Sequence, residues 1–209
     1  MSKKTTSSKK YRGYDINVGK DKKLTCNTTT LNQIVDTIEH MTEKHSKVIG
    51  VRIDIHSEKD SDKIITGRDM TRIIENTKRN INSKFKESPN KPDTHIIWTT
   101  EKTSEENNPH YHALFLANGH AIRNGFTIYE TVNKHVKKKL NTEKDGLVHY
   151  CESNQGNGIM INRNSDDFEQ QKNSAVHAAS YLAKERSKEH NPKGSRVSSS
   201  SRLNKAKKK

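Results

Sequence analysis

The chain has 209 residues, 28% hydrophobic and 31% charged, with 39 Lys+Arg against 25 Asp+Glu and a formal net charge of +14. That length allows one domain with a lean core and leaves a second complete one cramped. No apolar run approaches the ~18 residues of a membrane span, and no apolar stretch of a secretory signal follows the basic N-terminus. The charge favours a polyanion as partner, nucleic acid before membrane. Part of the excess belongs to the ends, because "MSKKTTSSKK" and "RLNKAKKK" are basic and hold no acid. Cys26 and Cys151 stand far apart without a CxxC pattern, which points to free thiols in a reducing cytoplasm.

Residues 1–12 and 190–209 read as disordered basic arms around a folded unit at 13–189. In "TLNQIVDTIEHMTEKH", Leu31, Ile34, Val35, Ile38 and Met41 recur at helical spacing, with Thr30 as the expected cap. "KVIGVRIDIH" then alternates as a strand, Val51, Ile53 and Ile55 on one side and Arg52, Asp54 and His56 on the other. A second helix is expected over "TGRDMTRIIENTKRNINSKF", ending before a Pro-Asn-Lys-Pro break. "THIIWTTE" and "HYHALFLA" read as adjacent antiparallel strands joined by the polar loop "KTSEENNP". A helix over "YETVNKHVKKKL", a strand at "GLVHYC" and a last helix through "NSAVHAASYLAKERSKE" complete the pattern. This order predicts an α+β fold in which a central antiparallel sheet carries helices packed on one face.

In a strand, residues two apart share a face, so His110 and His112 project side by side while Tyr111 points away. Alone, this pattern is also what the wet end of an ordinary buried strand looks like. Glu101, at the end of the preceding strand, lies where a hairpin brings it beside them. Two imidazoles and one carboxylate with open positions suit a divalent ion that also takes a phosphate oxygen. A zinc hydrolase using Cys151 or a third histidine would draw on the same pair. In the last helix His177, Tyr181 and Lys184 are spaced by four and three and fall on one face. A nucleophilic tyrosine needs a stabilised phenolate, and Lys184 is the right kind of group for that. The same triplet also fits an amphipathic helix with a core tyrosine and a solvated lysine.

Together "PHYHALF" and "SYLAKE" resemble the HUH endonuclease superfamily, and "VRIDIH", "PHYHALFLANG", "GLVHY" and "ASYLAKE" in that order resemble inovirus-type replication initiation proteins of filamentous phages. The resemblance implies an HUH/RRM-like, ferredoxin-like sandwich. It also implies a metal-dependent nickase that starts rolling-circle replication through a 5′-phosphotyrosine. Glu101, His110 and His112 match the metal ligands, which on donor chemistry suit Mg²⁺ or Mn²⁺, and Tyr181 matches the nucleophile. Lys184 matches the following lysine, although many relatives space the pair one residue wider. Asp54, His56 and His177 are candidates for the pocket.

DNA is the implied partner, as a single-stranded or hairpin origin, with a host helicase and polymerase and no membrane. Candidate DNA contacts are Arg52, Arg68, Arg72, Lys78, Arg79, Lys137, Lys138 and Lys139. The competing expectation is a basic, non-catalytic nucleic-acid-binding protein with the same fold.

Overall fold

Four two-residue strands open the chain in this computed structural model, which describes residues 5–19, 24–58, 62–102, 104, 108–151, 158–185, 191 and 197–203. They are β1 (Thr5–Thr6), β2 (Lys10–Tyr11), β3 (Tyr14–Asp15) and β4 (Cys26–Asn27). β1 pairs with β4, and the β2–β3 pair lies inside that loop. The basic arm expected over 1–12 is therefore part of the fold from residue 5 onward; residues 1–4 lie outside the described residues.

The remaining elements are α1 (Thr28–Lys44), β5 (Lys47–His56), α2 (Gly67–Lys84), β6 (His95–Glu101), β7 (His110–Asn118), α3 (Phe126–Leu140), β8 (Val148–Tyr150), β9 (Ile159–Asn162), α4 (Phe168–Ala179), a 3₁₀ turn at Ser180–Ala183 and β10 (Ser198–Ser200). Each expected strand and the first three expected helices are present, and the last expected helix is α4 only as far as Ala179. The cap of α1 is Asn27, three residues before the expected Thr30, and its Oδ1 accepts from Thr30 N at 3.0 Å. α2 starts with a reciprocal capping box, Thr66 Oγ1 accepting from Asp69 N and Asp69 Oδ2 accepting from Thr66 N.

The main sheet runs β10-β6-β7-β5-β8, with β9 also on β5, and every pairing is antiparallel. β5 is long enough to share its outer edge between β9, along Lys47–Gly50, and β8, along Ile53–Ile55. β10 covers the β6 edge, so Ser198–Ser200 of the expected disordered tail is sheet. Residues 192–196 and 204–209 lie outside the described residues, as do four of the loop between β6 and β7.

The fold class is the expected α+β one, but helices cover both faces of the sheet. One core joins Val51, Ile53, Trp98, Tyr111 and Phe115 to α2 and α3. The other joins Val48, Ile97, Leu114 and Leu116 to α1 and α4. A strand covered on both sides must be apolar on both, which accounts for the unbroken runs "HIIW" in β6 and "ALFLA" in β7. Each fully buried Leu or Ile of these cores contributes about 1.5–3 kcal/mol by removal from water.

Candidate active site

Register places a polar ladder at one end of the face that carries α1 and α4. Asp54 of β5, His112 of β7 and Thr99 of β6 lie directly opposite one another, and His56, His110 and Glu101 form the next rung. Directly paired residues share a face, so these six side chains emerge together. Tyr111 points to the other face as alternation requires, where its hydroxyl donates to Ile65 O at 2.9 Å and its ring packs on Trp98.

His112 is the centre of the ladder. It is buried, with Nε2 2.8 Å from Glu101 Oε2 and Nδ1 2.8 Å from Asp54 Oδ1. Burial disfavours the imidazolium, but Asp54 and Glu101 outweigh it and raise the His112 pKa. Burial works equally against the Asp54 carboxylate, yet contacts with His112 and with Arg52, whose Nη2 is 3.3 Å from Oδ2, hold it well below the usual range. His112 Nδ1 and Asp54 Oδ1 approach closely but do not align as a hydrogen bond, and Arg52 Nε and Thr99 Oγ1 likewise lack an aligned partner among the described residues. Buried polar atoms left this way are costly in an ordinary core. Two of the four, His112 Nδ1 and Asp54 Oδ1, face each other at 2.8 Å, and Arg52 Nε and Thr99 Oγ1 belong to the same patch.

Tyr181 reaches the patch from the 3₁₀ turn, not from the α-helix expected there. α4 stops at Ala179, and the Ser180 hydroxyl donates to His177 O at 2.7 Å while accepting from Asn17 N at 2.8 Å. The chain beyond Tyr181 is tied to the N-terminal segment, with Glu185 N donating to Thr25 O at 3.0 Å and Lys184 bridging Cys26. The part of the expected last helix beyond 185 lies outside the described residues. So clamped, the Tyr181 ring stands edge-to-face with His112 at 5.2 Å between centroids, and Arg52 Cζ is 4.4 Å from its centroid.

Lys184 Nζ sits 3.4 Å from the Tyr181 centroid, over the ring face rather than at the phenol oxygen where phenolate stabilisation would place it. Burial first, and Glu101 next, push the Tyr181 pKa up, while Arg52 is the cation that works against them. Arg52, anticipated as a surface contact to DNA, is thus a half-buried member of the site.

The structure brings Glu101, His112, Asp54, Tyr181, Lys184 and Arg52 together. His110 belongs to the same face but packs its ring on His56, 4.4 Å between centroids. Among the described residues no three His, Cys, Asp or Glu side chains are gathered closely enough to hold a metal ion as they stand. The donor types nevertheless suit a divalent cation. Glu101 Oε2 and His112 Nε2 are about as far apart as two adjacent ligands of one ion, whose bonds are each about 2.0–2.2 Å. His110 faces Glu101 in register.

His177 is exposed on α4 and takes part in the turn through its carbonyl, not its ring. Cys26 and Cys151 are buried thiols that form no disulfide, and burial pushes the Cys151 thiol up to about 11. The other DNA-contact candidates, Arg68, Arg72, Lys78, Arg79, Lys137, Lys138 and Lys139, all belong to α2 and α3, on the opposite side of the sheet from Tyr181. Asn17, Thr25, Thr99 and Ser180 escaped the sequence reading. They act through backbone contacts or single hydroxyls, which leave no motif.

No helix among the described residues is long and apolar enough to cross a membrane. No curated protein matches the chain. The family model described as the YagK/YfjJ C-terminal domain matches residues 6–197, so the chain belongs to that family. The match runs from the second residue of β1 through α4 and stops just short of β10, so it includes β2, β3 and β4 of the N-terminal segment.

Proposed function

We propose that this member of the YagK/YfjJ C-terminal domain family is a metal-dependent, single-tyrosine DNA nickase and strand transferase of the HUH type. It would initiate rolling-circle replication of a phage, prophage or plasmid in the cytoplasm of a bacterial host, with the host's helicase and polymerase. One observation carries the reading: Tyr181 rests against His112 at the Glu101 contact, with Arg52 and Lys184 on its ring.

Tyr181 Oη attacks the scissile phosphorus as the bond from phosphorus to the 3′ oxygen breaks. The phenol loses its proton, the leaving oxygen gains one, and the 5′ phosphate stays esterified to the tyrosine. A 3′-OH reverses the exchange without ATP, because the ester retains the energy of the cleaved bond. Arg52 favours the phenolate and, beside the ring, would offset charge developing on the phosphate. Lys184 holds the ring from its face, and Asp54 orients both Arg52 and His112. Mg²⁺ or Mn²⁺ on Glu101, His110 and His112 would neutralise a non-bridging phosphate oxygen.

The test is cleavage of end-labelled single-stranded DNA carrying the replicon's own origin, with Mn²⁺. Wild type is expected to yield a product whose 3′-OH a polymerase extends, and Tyr181→Phe to bind the strand without cutting it. Equal cleavage by the two proteins would overturn the assignment of Tyr181. A wild type that binds and never cuts would leave the non-catalytic alternative.

A further inference from the structure

Charge is divided unevenly between the two helical layers. α2 and α3 together carry nine Lys and Arg against three Asp and Glu, a net of +6, whereas α1 and α4 carry two against four, a net of −2. The positive layer lies behind the sheet as seen from Tyr181.

Two of its cations are paired, Lys139 with Asp69 at 3.0 Å and Lys137 with Asp145 at 2.7 Å. Arg68, Arg72, Arg79, Lys134 and Lys138 are exposed and have no carboxylate partner among the described residues. The two helices meet along a seam where Asn80 Nδ2 and His135 Nε2 are 3.1 Å apart. Arg79 and Lys134 are the chain neighbours of the Asn80 and His135 that meet at the seam, and Lys138 follows His135 by three on α3; burial first, then Lys134, Lys138 and Arg79, push the His135 pKa down. Like charges crowded without counter-charges oppose folding, and a polyanion relieves the repulsion.

We infer that the α2–α3 layer is a second DNA-binding surface, one that grips the phosphate backbone of duplex DNA while the Tyr181 face works on a single strand. The inference extends the function proposed above and rests on it only for the identity of the polyanion as DNA. The exposed groups of the seam are long cations with an amide and an imidazole, suited to phosphates rather than to stacking on bases. At 1.5 Å per residue α3 is about 22 Å long, enough to follow a backbone over several base pairs. The α1–α4 layer, at −2, attracts a duplex less than the α2–α3 layer at +6, which favours the back of the sheet for the flanking helix.

Duplex binding is measured by fluorescence anisotropy with the full chain and a labelled 20-bp duplex, without metal, over a range of KCl concentrations. The readout is thus independent of whether Tyr181 forms an adduct. The variant Arg79→Gln/Lys134→Gln/Lys138→Gln is compared with Lys207→Gln/Lys208→Gln/Lys209→Gln, which removes the same charge from the C-terminal lysine run. Each lost phosphate contact lowers the slope of log K against log salt by about 1. The seam variant is expected to lose about 2–3 in slope and at least about tenfold in affinity, more than the tail variant, while keeping the wild-type thermal transition. Equal losses in the two variants would overturn the surface as a site. An equal loss for a 20-nucleotide single strand would overturn its assignment to duplex.

Discussion

Arg52 joins the two halves of the candidate site, because one guanidinium neutralises Asp54 and faces the Tyr181 ring. The Tyr181 phenol lies above its ordinary pKa, so at neutral pH it is protonated, and the reactive fraction grows about tenfold per pH unit below that pKa. Single-turnover cleavage should therefore rise from pH 6 to 9. Arg52→Gln removes the cation that lowers the Tyr181 pKa, so it should move this profile to higher pH and slow cleavage about 10²-fold at pH 7. An unchanged profile would remove Arg52 from the chemistry. A second residue gives a stability test away from the site. Burial alone would raise the Asp93 pKa, but hydrogen bonds from Lys44 and His45 hold it at about 2. A depressed carboxylate stabilises the fold above its unfolded pKa and loses that effect as pH falls through the folded one. Asp93→Asn should thus cost about 1 kcal/mol at pH 7, discounted for its partial exposure. The deficit should vanish between pH 4 and 2 in denaturant titrations. The histidine pair was legible in the sequence because period-two alternation fixes its face, whereas the role of Arg52 depends on a tyrosine 129 positions away.

At the scale of elements, the turn that carries Tyr181 is held by contacts from residues 17 to 26, and this staple decides how firmly the nucleophile is aimed. Ser180→Ala removes the acceptor for Asn17 N and the donor to His177 O. It should cut the cleavage rate about tenfold or more while changing strand affinity little, since a misaimed nucleophile loses rate before binding. A proportional loss in both would contradict the positioning role. Thr66→Ala is the complementary case: breaking the α2 capping box should cost about 1 kcal/mol in a denaturant titration. It should leave the pH profile of cleavage alone, because α2 packs behind the sheet. Long helices and strands were readable from their apolar spacing. The two-residue strands were not, having no period to detect, and β10 was hidden in a serine run. Asn27 took the cap from Thr30 because α1 begins three residues before its first apolar position, Leu31.

For the whole molecule, the sheet separates the α1–α4 layer, of net charge −2, from a basic α2–α3 layer of +6. The second layer of helices was foreshadowed by runs such as "ALFLA", apolar at successive positions and so unfit for a face left in water. The partition of charge between layers could not be read before the topology was known, because lysines on any amphipathic helix look alike. What the sheet and its N-terminal staple deliver together is one tyrosine held over a histidine and a carboxylate. The most direct measurement is mass spectrometry of the denatured protein after incubation with Mn²⁺ and single-stranded origin DNA. The account predicts a 5′-phosphorylated DNA fragment linked to the peptide containing Tyr181, absent without metal and absent in Tyr181→Phe. A cleaved strand with no protein attached, or an adduct on any other residue, would contradict it.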